Sequence, residues 1–172
     1  MHPHSPNIHE SRPRWSRGRS TRIGVIGAGE LGLSMAIVLA ERGHQVVLAG
    51  CDVEQAGSRQ LAARARRSAR TGRLRFTPSR AAAARHGHVV VMAVATQPDR
   101  GDEDRISTLL EAAVEIARNL SGPTVIVDQS SESDAAAAQI ARAMIGSSNH
   151  AIVVVKGKGA REGEPGRPSS PS

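Results

Sequence analysis

The stretch Gly24-Val-Ile-Gly-Ala-Gly-Glu-Leu-Gly32, GVIGAGELG in one-letter code, joins a short apolar run to a segment of helical pattern. Ile23–Ile26 is brief, apolar and glycine-bounded, as a buried strand is; Leu33, Ala36, Ile37 and Ala40 then recur at helical spacing. Gly43 supplies the stop expected just past a helix end. Gly27, Gly29 and Gly32 therefore place G-x-G-x-x-G on a strand–turn–helix junction. Each glycine has a task there: the tight turn, the close approach of backbone to a pyrophosphate, and the close packing of helix on strand. Gly27, Ala28, Gly29, Glu30, Leu31 and Gly32 are accordingly the candidate bed for a dinucleotide. The alternative is a glycine-rich turn without a ligand.

Outward from this turn, apolar runs and helical patterns alternate. Strands are expected at Gln45–Ala49, Leu74–Phe76, His88–Val94, Pro123–Asp128 and Ala151–Val155. Helices are expected from about Val53 to Arg70, through the stripe Ile106, Leu109, Leu110, Ala113, Val114 and Ala117, and over Ser133–Ile145. Asp102, Glu103 and Asp104 open the second of these, where carboxylates suit the positive end of the helix dipole. Six strands alternating with about five helices predict an α/β chain of Rossmann type, a doubly wound parallel sheet with helices on both faces. Residues 1–20, rich in Pro, Ser, His and Arg, read as a disordered basic leader, 21–156 as the folded domain, and 157–172 as a loose tail.

Composition fits one such domain. The chain has 172 residues, enough for a single well-buried core. Its apolar residues make up 39% and are mostly Ala, Val, Ile and Leu, as strands buried on both faces require. The single cysteine, Cys51, rules out an intramolecular disulfide and any multi-cysteine zinc site, and points to a reducing cytoplasm. No apolar run approaches the roughly 20 residues that span a bilayer. The net charge of +7 is uneven, because nine arginines and no acid lie between Gln55 and Pro98. That run invites a nucleic-acid reading, but no aromatic residues interleave with the arginines as single-strand binders require. A solvated arginine-rich helix face accounts for it better.

A dinucleotide fold of this kind places an acid about 20 residues beyond the glycines, at the end of the second strand, to accept from the ribose hydroxyls. Gly50 stands at that point, and Asp52 two residues later is the candidate. With Asp52 the reading favours NAD. Gly50 together with Arg59 would also be compatible with the 2′-phosphate of NADP.

Four separated pieces then resemble the UDP-glucose/GDP-mannose dehydrogenase family in its N-terminal domain. They are IGVIGAGELGLSMAIVLAERGHQVV (23–47), TGRLRFT (71–77), HVVVMAVATQP (88–98) and LLEAAVEIARNLSGPTVIVDQSS (109–131). The family's forms of the last three are close to G-R-L-x-F-T, a V-G-T-P loop and V-D-K-S-T. TGRLRFT is the most diagnostic piece, because a generic dinucleotide fold has no reason to carry it. The resemblance covers roughly residues 22 to 163.

It implies NAD as cofactor and oxidation of the C6 hydroxyl of a nucleotide sugar such as a UDP-sugar. It also implies cofactor contacts at Thr96, matching the V-G-T-P threonine, and at Ser130 and Ser131, matching V-D-K-S-T. There are departures. Ala95 replaces the loop glycine, Gln129 the lysine, and Glu30 an aromatic residue of the glycine turn. VVVKGKGAREG (153–163) aligns with V-x-N-P-E-F-L-R-E-G so that Lys158 occupies the position of a catalytic glutamate. The family's nucleophilic cysteine lies in a second half, in a G-F-G-G-x-C-like stretch that this sequence does not contain, and Cys51 reads as a small buried residue. No histidine sits at a strand end suited to a general base. The expectation is a cofactor-holding domain, inactive alone and completed by a partner chain or an oligomer. A non-catalytic dinucleotide-binding or assembly module and a basic nucleic-acid-associated protein remain the alternatives.

Overall fold

A computed structural model describes residues 20–27, 29–50, 57–95, 101–130 and 133–157. Strands β1 (Arg22–Ile26), β2 (Gln45–Ala49), β3 (Leu74–Thr77), β4 (Val89–Met92), β5 (Thr124–Asp128) and β6 (Ile152–Lys156) alternate with five helices. These are α1 (Glu30–Glu41), α2 (Arg59–Arg70), α3 (Arg80–His86), α4 (Asp102–Arg118) and α5 (Asp134–Ser147). All strand pairs are parallel, in the order β3-β2-β1-β4-β5-β6. The order reverses between β1 and β4, the switch point where ligands of doubly wound sheets bind. The expected Rossmann-type architecture is the one found.

Alternation along each strand sends neighbouring side chains to opposite faces, and two cores result. Val25, Val46, Leu48 and Val91 pack under α1 and α2 with Leu33, Ile37, Leu61 and Ala65. Ile26, Val47, Met92 and Ile126 pack under α3, α4 and α5 with Ala83, Ile116, Ile140 and Met144. The first face is only partly covered. Val125, Val153 and Val155 stay 39%, 60% and 48% exposed beyond the reach of α1 and α2.

The helices start where their caps dictate. Ser58, Ser79 and Ser133 each accept a hydrogen bond at 3.1 Å from the amide three residues on, opening α2, α3 and α5. Thus α2 begins at Arg59 rather than near Val53. The short α3 has no counterpart among the located expectations, because its run of alanines carries no apolar stripe. α4 opens on Asp102, Glu103 and Asp104 as expected. β4 is shorter than His88–Val94 at both ends. Among the described residues no helix is long and apolar enough to cross a membrane.

Candidate dinucleotide site

The site is built where the strands end. Backbone hydrogen bonds run on past the strands: Gly27 N donates to Ala49 O at 3.0 Å, Ala93 N to Ile26 O at 2.7 Å, Gln129 N to Met92 O at 2.8 Å, and Gly157 N to Asp128 O at 2.8 Å. The carboxyl edge of the sheet is therefore a fixed platform for the loops above it.

The three glycines have different neighbours. A Cβ on Gly27 would strike the backbone carbonyl of Ala93 at the end of β4, and one on Gly32 would sit 2.7 Å from the carbonyl oxygen of Gly27. These two glycines are required by the protein's own packing of turn, strand and helix. At Gly29 the nearest atom would be the methyl of Ala95, at 3.8 Å, an ordinary contact. Among the described residues nothing else approaches the space in front of Gly29, and this is the place where backbone must approach a pyrophosphate. Gly29 is also the N-cap of α1 and has no side chain to satisfy the first amides, in contrast to the serine-capped α2, α3 and α5. Unsatisfied amides at the positive end of a helix dipole suit an anionic group. The residues present fit the phosphates of a dinucleotide.

Glu30 and Leu31 form the exposed first turn of α1, and Gly32 is buried beneath them. At the end of β2, Gly50 has φ +95°, a conformation that L side chains rarely adopt. No acid can readily stand there. Ala28, Cys51, Asp52, Thr96, Ser131 and Lys158 lie outside the described residues.

Ser130 follows β5, and its hydroxyl accepts from Val94 N at 2.8 Å and donates to Met92 O at 3.0 Å. Its amide donates to Oδ1 of the buried Asp128 at 2.8 Å. This serine clasps the ends of β4 and β5, so its proton is engaged within the protein and a lone pair is what it can still offer a ligand. The clasp was not legible from sequence, since its partners lie 36 and 38 residues away in the chain. Beside Ser130, a cavity of about 240 Å³ opens between the starts of α4 and α5, with Arg105, Ile106 and Ser133 on its walls. None of the described glycine-turn residues lines it.

The described histidines are elsewhere. His44, His86, His88 and His150 precede β2, β4 and β6 and so lie at the amino edge of the sheet, opposite the glycine turn. His44 Nδ1 accepts from Thr21 N at 3.3 Å, and His86 Nε2 meets the carbonyl of Gln45 at 3.1 Å. His88 pairs with Arg22. Burial pushes the His86 imidazole below its usual pKa, outweighing its bond to Gln45, and Arg75, Arg22 and His88 push it the same way. It is neutral near pH 7. Several arginines of the acid-free run tie elements together: Arg64 grips Glu41 of α1 through two bonds at 2.6 and 3.1 Å, and Arg80 and Arg85 reach Glu115 of α4 and Asn119 just beyond it.

Residues 21–158 match the model of the UDP-glucose/GDP-mannose dehydrogenase family, NAD binding domain. Comparison with curated protein sequences gives no match. A UDP-glucose dehydrogenase from Pyrobaculum islandicum is 23% identical with a TM-score of 0.71, over 84% of this chain and 36% of its own. A GDP-mannose dehydrogenase from Pseudomonas aeruginosa is 20% identical with a TM-score of 0.58, over 78% of this chain and 36% of its own. A lactate dehydrogenase from Eimeria maxima, solved with NADH and oxamate, has a TM-score of 0.53 at 19% identity. At such identities the structures speak for the fold alone, and the chain spans about a third of the length of the first two. The family model carries the assignment: this chain belongs to the UDP-glucose/GDP-mannose dehydrogenase family, as its NAD binding domain, and NAD is its cofactor.

Proposed function

We propose that this chain is the cofactor-holding part of a nucleotide-sugar oxidoreductase of the UDP-glucose 6-dehydrogenase type, and that it does not turn over a sugar nucleotide alone. The observation that carries the reading is the open bed at Gly29 on the uncapped start of α1. NAD, when held, accepts hydride from a carbinol carbon. The chain's part is to fix the pyrophosphate at the amides of α1, with Gly27 and Gly32 keeping the turn locked and Ser130 holding the loop beyond β4 in place. Asp52, Thr96 and Ser131 complete the proposed contact set. Proton removal from the hydroxyl needs a base, and the four described histidines stand at the opposite edge of the sheet. A catalytic cysteine and a sugar-binding half would come from outside these 172 residues, in the cytoplasm, where Cys51 would stay reduced.

The test is calorimetric titration with NAD, followed by UDP-glucose and GDP-mannose turnover monitored as NADH. The expected result is NAD binding with no NADH formed until a cysteine-bearing second half is added. Absence of NAD binding at millimolar ligand overturns the reading. The distance of the four described histidines from the glycine turn favours one second reading, a dinucleotide-binding module without catalysis, which gains if no second half restores turnover. The nucleic-acid alternative has little support, because Arg64, Arg80 and Arg85 are engaged by α1 or by the α4 segment.

A further inference from the structure

Two observations meet at the adenosine end of the glycine turn. Gly50, at φ +95°, follows Ala49 at the end of the second strand, so no acid stands at that position. Glu30, the exposed first residue of α1, turns its carboxylate toward the next helix: Oε2 lies 3.8 Å from the point that a Cβ on Gly57 would occupy. Gly57 directly precedes Ser58, the N-cap of α2. The carboxylate thus belongs to the start of α1 and faces the start of α2, where both dipoles favour negative charge. In a doubly wound sheet the adenosine ribose lies between the glycine turn and the end of the second strand, the gap that Glu30 flanks.

We propose that Glu30 reads the adenosine ribose from the glycine-turn side, accepting from its hydroxyls and rejecting a 2′-phosphate. An ionised carboxylate only accepts hydrogen bonds, so it matches the ribose 2′-hydroxyl and finds no donor on a phosphate. A phosphomonoester adds about −1.5 to −2 charge at pH 7. Repulsion between such a group and a carboxylate about 5 Å away in water corresponds to roughly tenfold in affinity. Arg59, the first residue of α2, would favour the phosphate, and the Glu30 carboxylate opposes it. A carboxylate that merely stabilised the start of α1 would alter the melting temperature and leave cofactor preference untouched.

This inference rests on the NAD reading, and the test separates the two. NAD and NADP are titrated calorimetrically into the whole chain and into Glu30→Gln, with melting curves for both. A second pair of ligands, ADP-ribose and 2′-phospho-ADP-ribose, is titrated into the unaltered chain. The unaltered chain is expected to prefer NAD by about tenfold or more, with the same ratio for the ADP-ribose pair. Glu30→Gln should shrink the ratio by about tenfold, mainly by gaining NADP affinity. NAD binding with a ratio unmoved by Glu30→Gln overturns the role of Glu30 alone, as does a preference for NADP or an ADP-ribose pair bound equally. Failure to bind either dinucleotide overturns both readings.

Discussion

Gly29→Ala separates the ligand's demand on the turn from the fold's. Among the described residues the added methyl meets only the Ala95 methyl, at 3.8 Å, and the backbone at φ −86°, ψ 174° suits alanine. Restricting the unfolded chain stabilises by about 0.4–1 kcal/mol. Alanine is a poorer N-cap than glycine by a similar amount, about 0.5–1 kcal/mol. The two effects nearly cancel, and the melting temperature should move by no more than about 4 °C. Binding should not survive. The methyl occupies the approach to the pyrophosphate, and losing two hydrogen bonds to charged oxygens at about 1.5–3 kcal/mol each weakens NAD by at least roughly 100-fold. Gly27→Ala is the counterpart. Its methyl collides with the Ala93 carbonyl, and overpacking of this kind costs about 1–3 kcal/mol or more. The assay is paired: thermal melts without ligand, then NAD titration. A Gly29→Ala protein that binds NAD within about threefold of the parent, or that melts as early as Gly27→Ala, refutes the argument.

Three further outcomes are expected. Ser130→Ala removes the acceptor for Val94 N and the donor to Met92 O, so chemical denaturation should show a loss of about 1–3 kcal/mol; no loss would mean that the clasp is dispensable. Leu48→Ala empties a fully buried site under α1 and should cost about 2–5 kcal/mol with NAD affinity per folded molecule unchanged. The pH dependence follows from His86, whose pKa is lowered on folding mainly by burial. The unfolded chain binds this proton more tightly, so stability is fully present above about pH 6.5 and is lost as pH falls through the lowered folded value. Denaturant midpoints from pH 7.5 to 5 should fall less steeply for His86→Gln, and identical slopes would exclude His86 as the cause.

The strands and the glycine turn were readable because their signals are local. Ile23–Ile26 and Val89–Met92 are apolar runs that end at the switch point, and the spacing of Gly27, Gly29 and Gly32 carries its own geometry. α3 was not, since Arg80–His86 has alanines without periodicity, and its cue is the Ser79 cap after Pro78. Ser130 was expected as a cofactor contact on resemblance, and its clasp was not legible, because that role depends on β4 lying beside β5. The orientation of the Glu30 carboxylate toward Gly57 likewise depends on how α1 meets α2. Contacts between distant segments are what one-dimensional spacing does not encode.

The unequal surroundings of the three glycines bear on how such a chain would drift over generations. Selection for folding alone holds Gly27 and Gly32, whose side-chain space is taken by the protein's own backbone. It places almost no constraint on Gly29. A lineage that had abandoned its dinucleotide could therefore exchange Gly29 for alanine or serine and keep the sheet intact. The middle glycine works as a gauge of use, readable in any descendant without an assay.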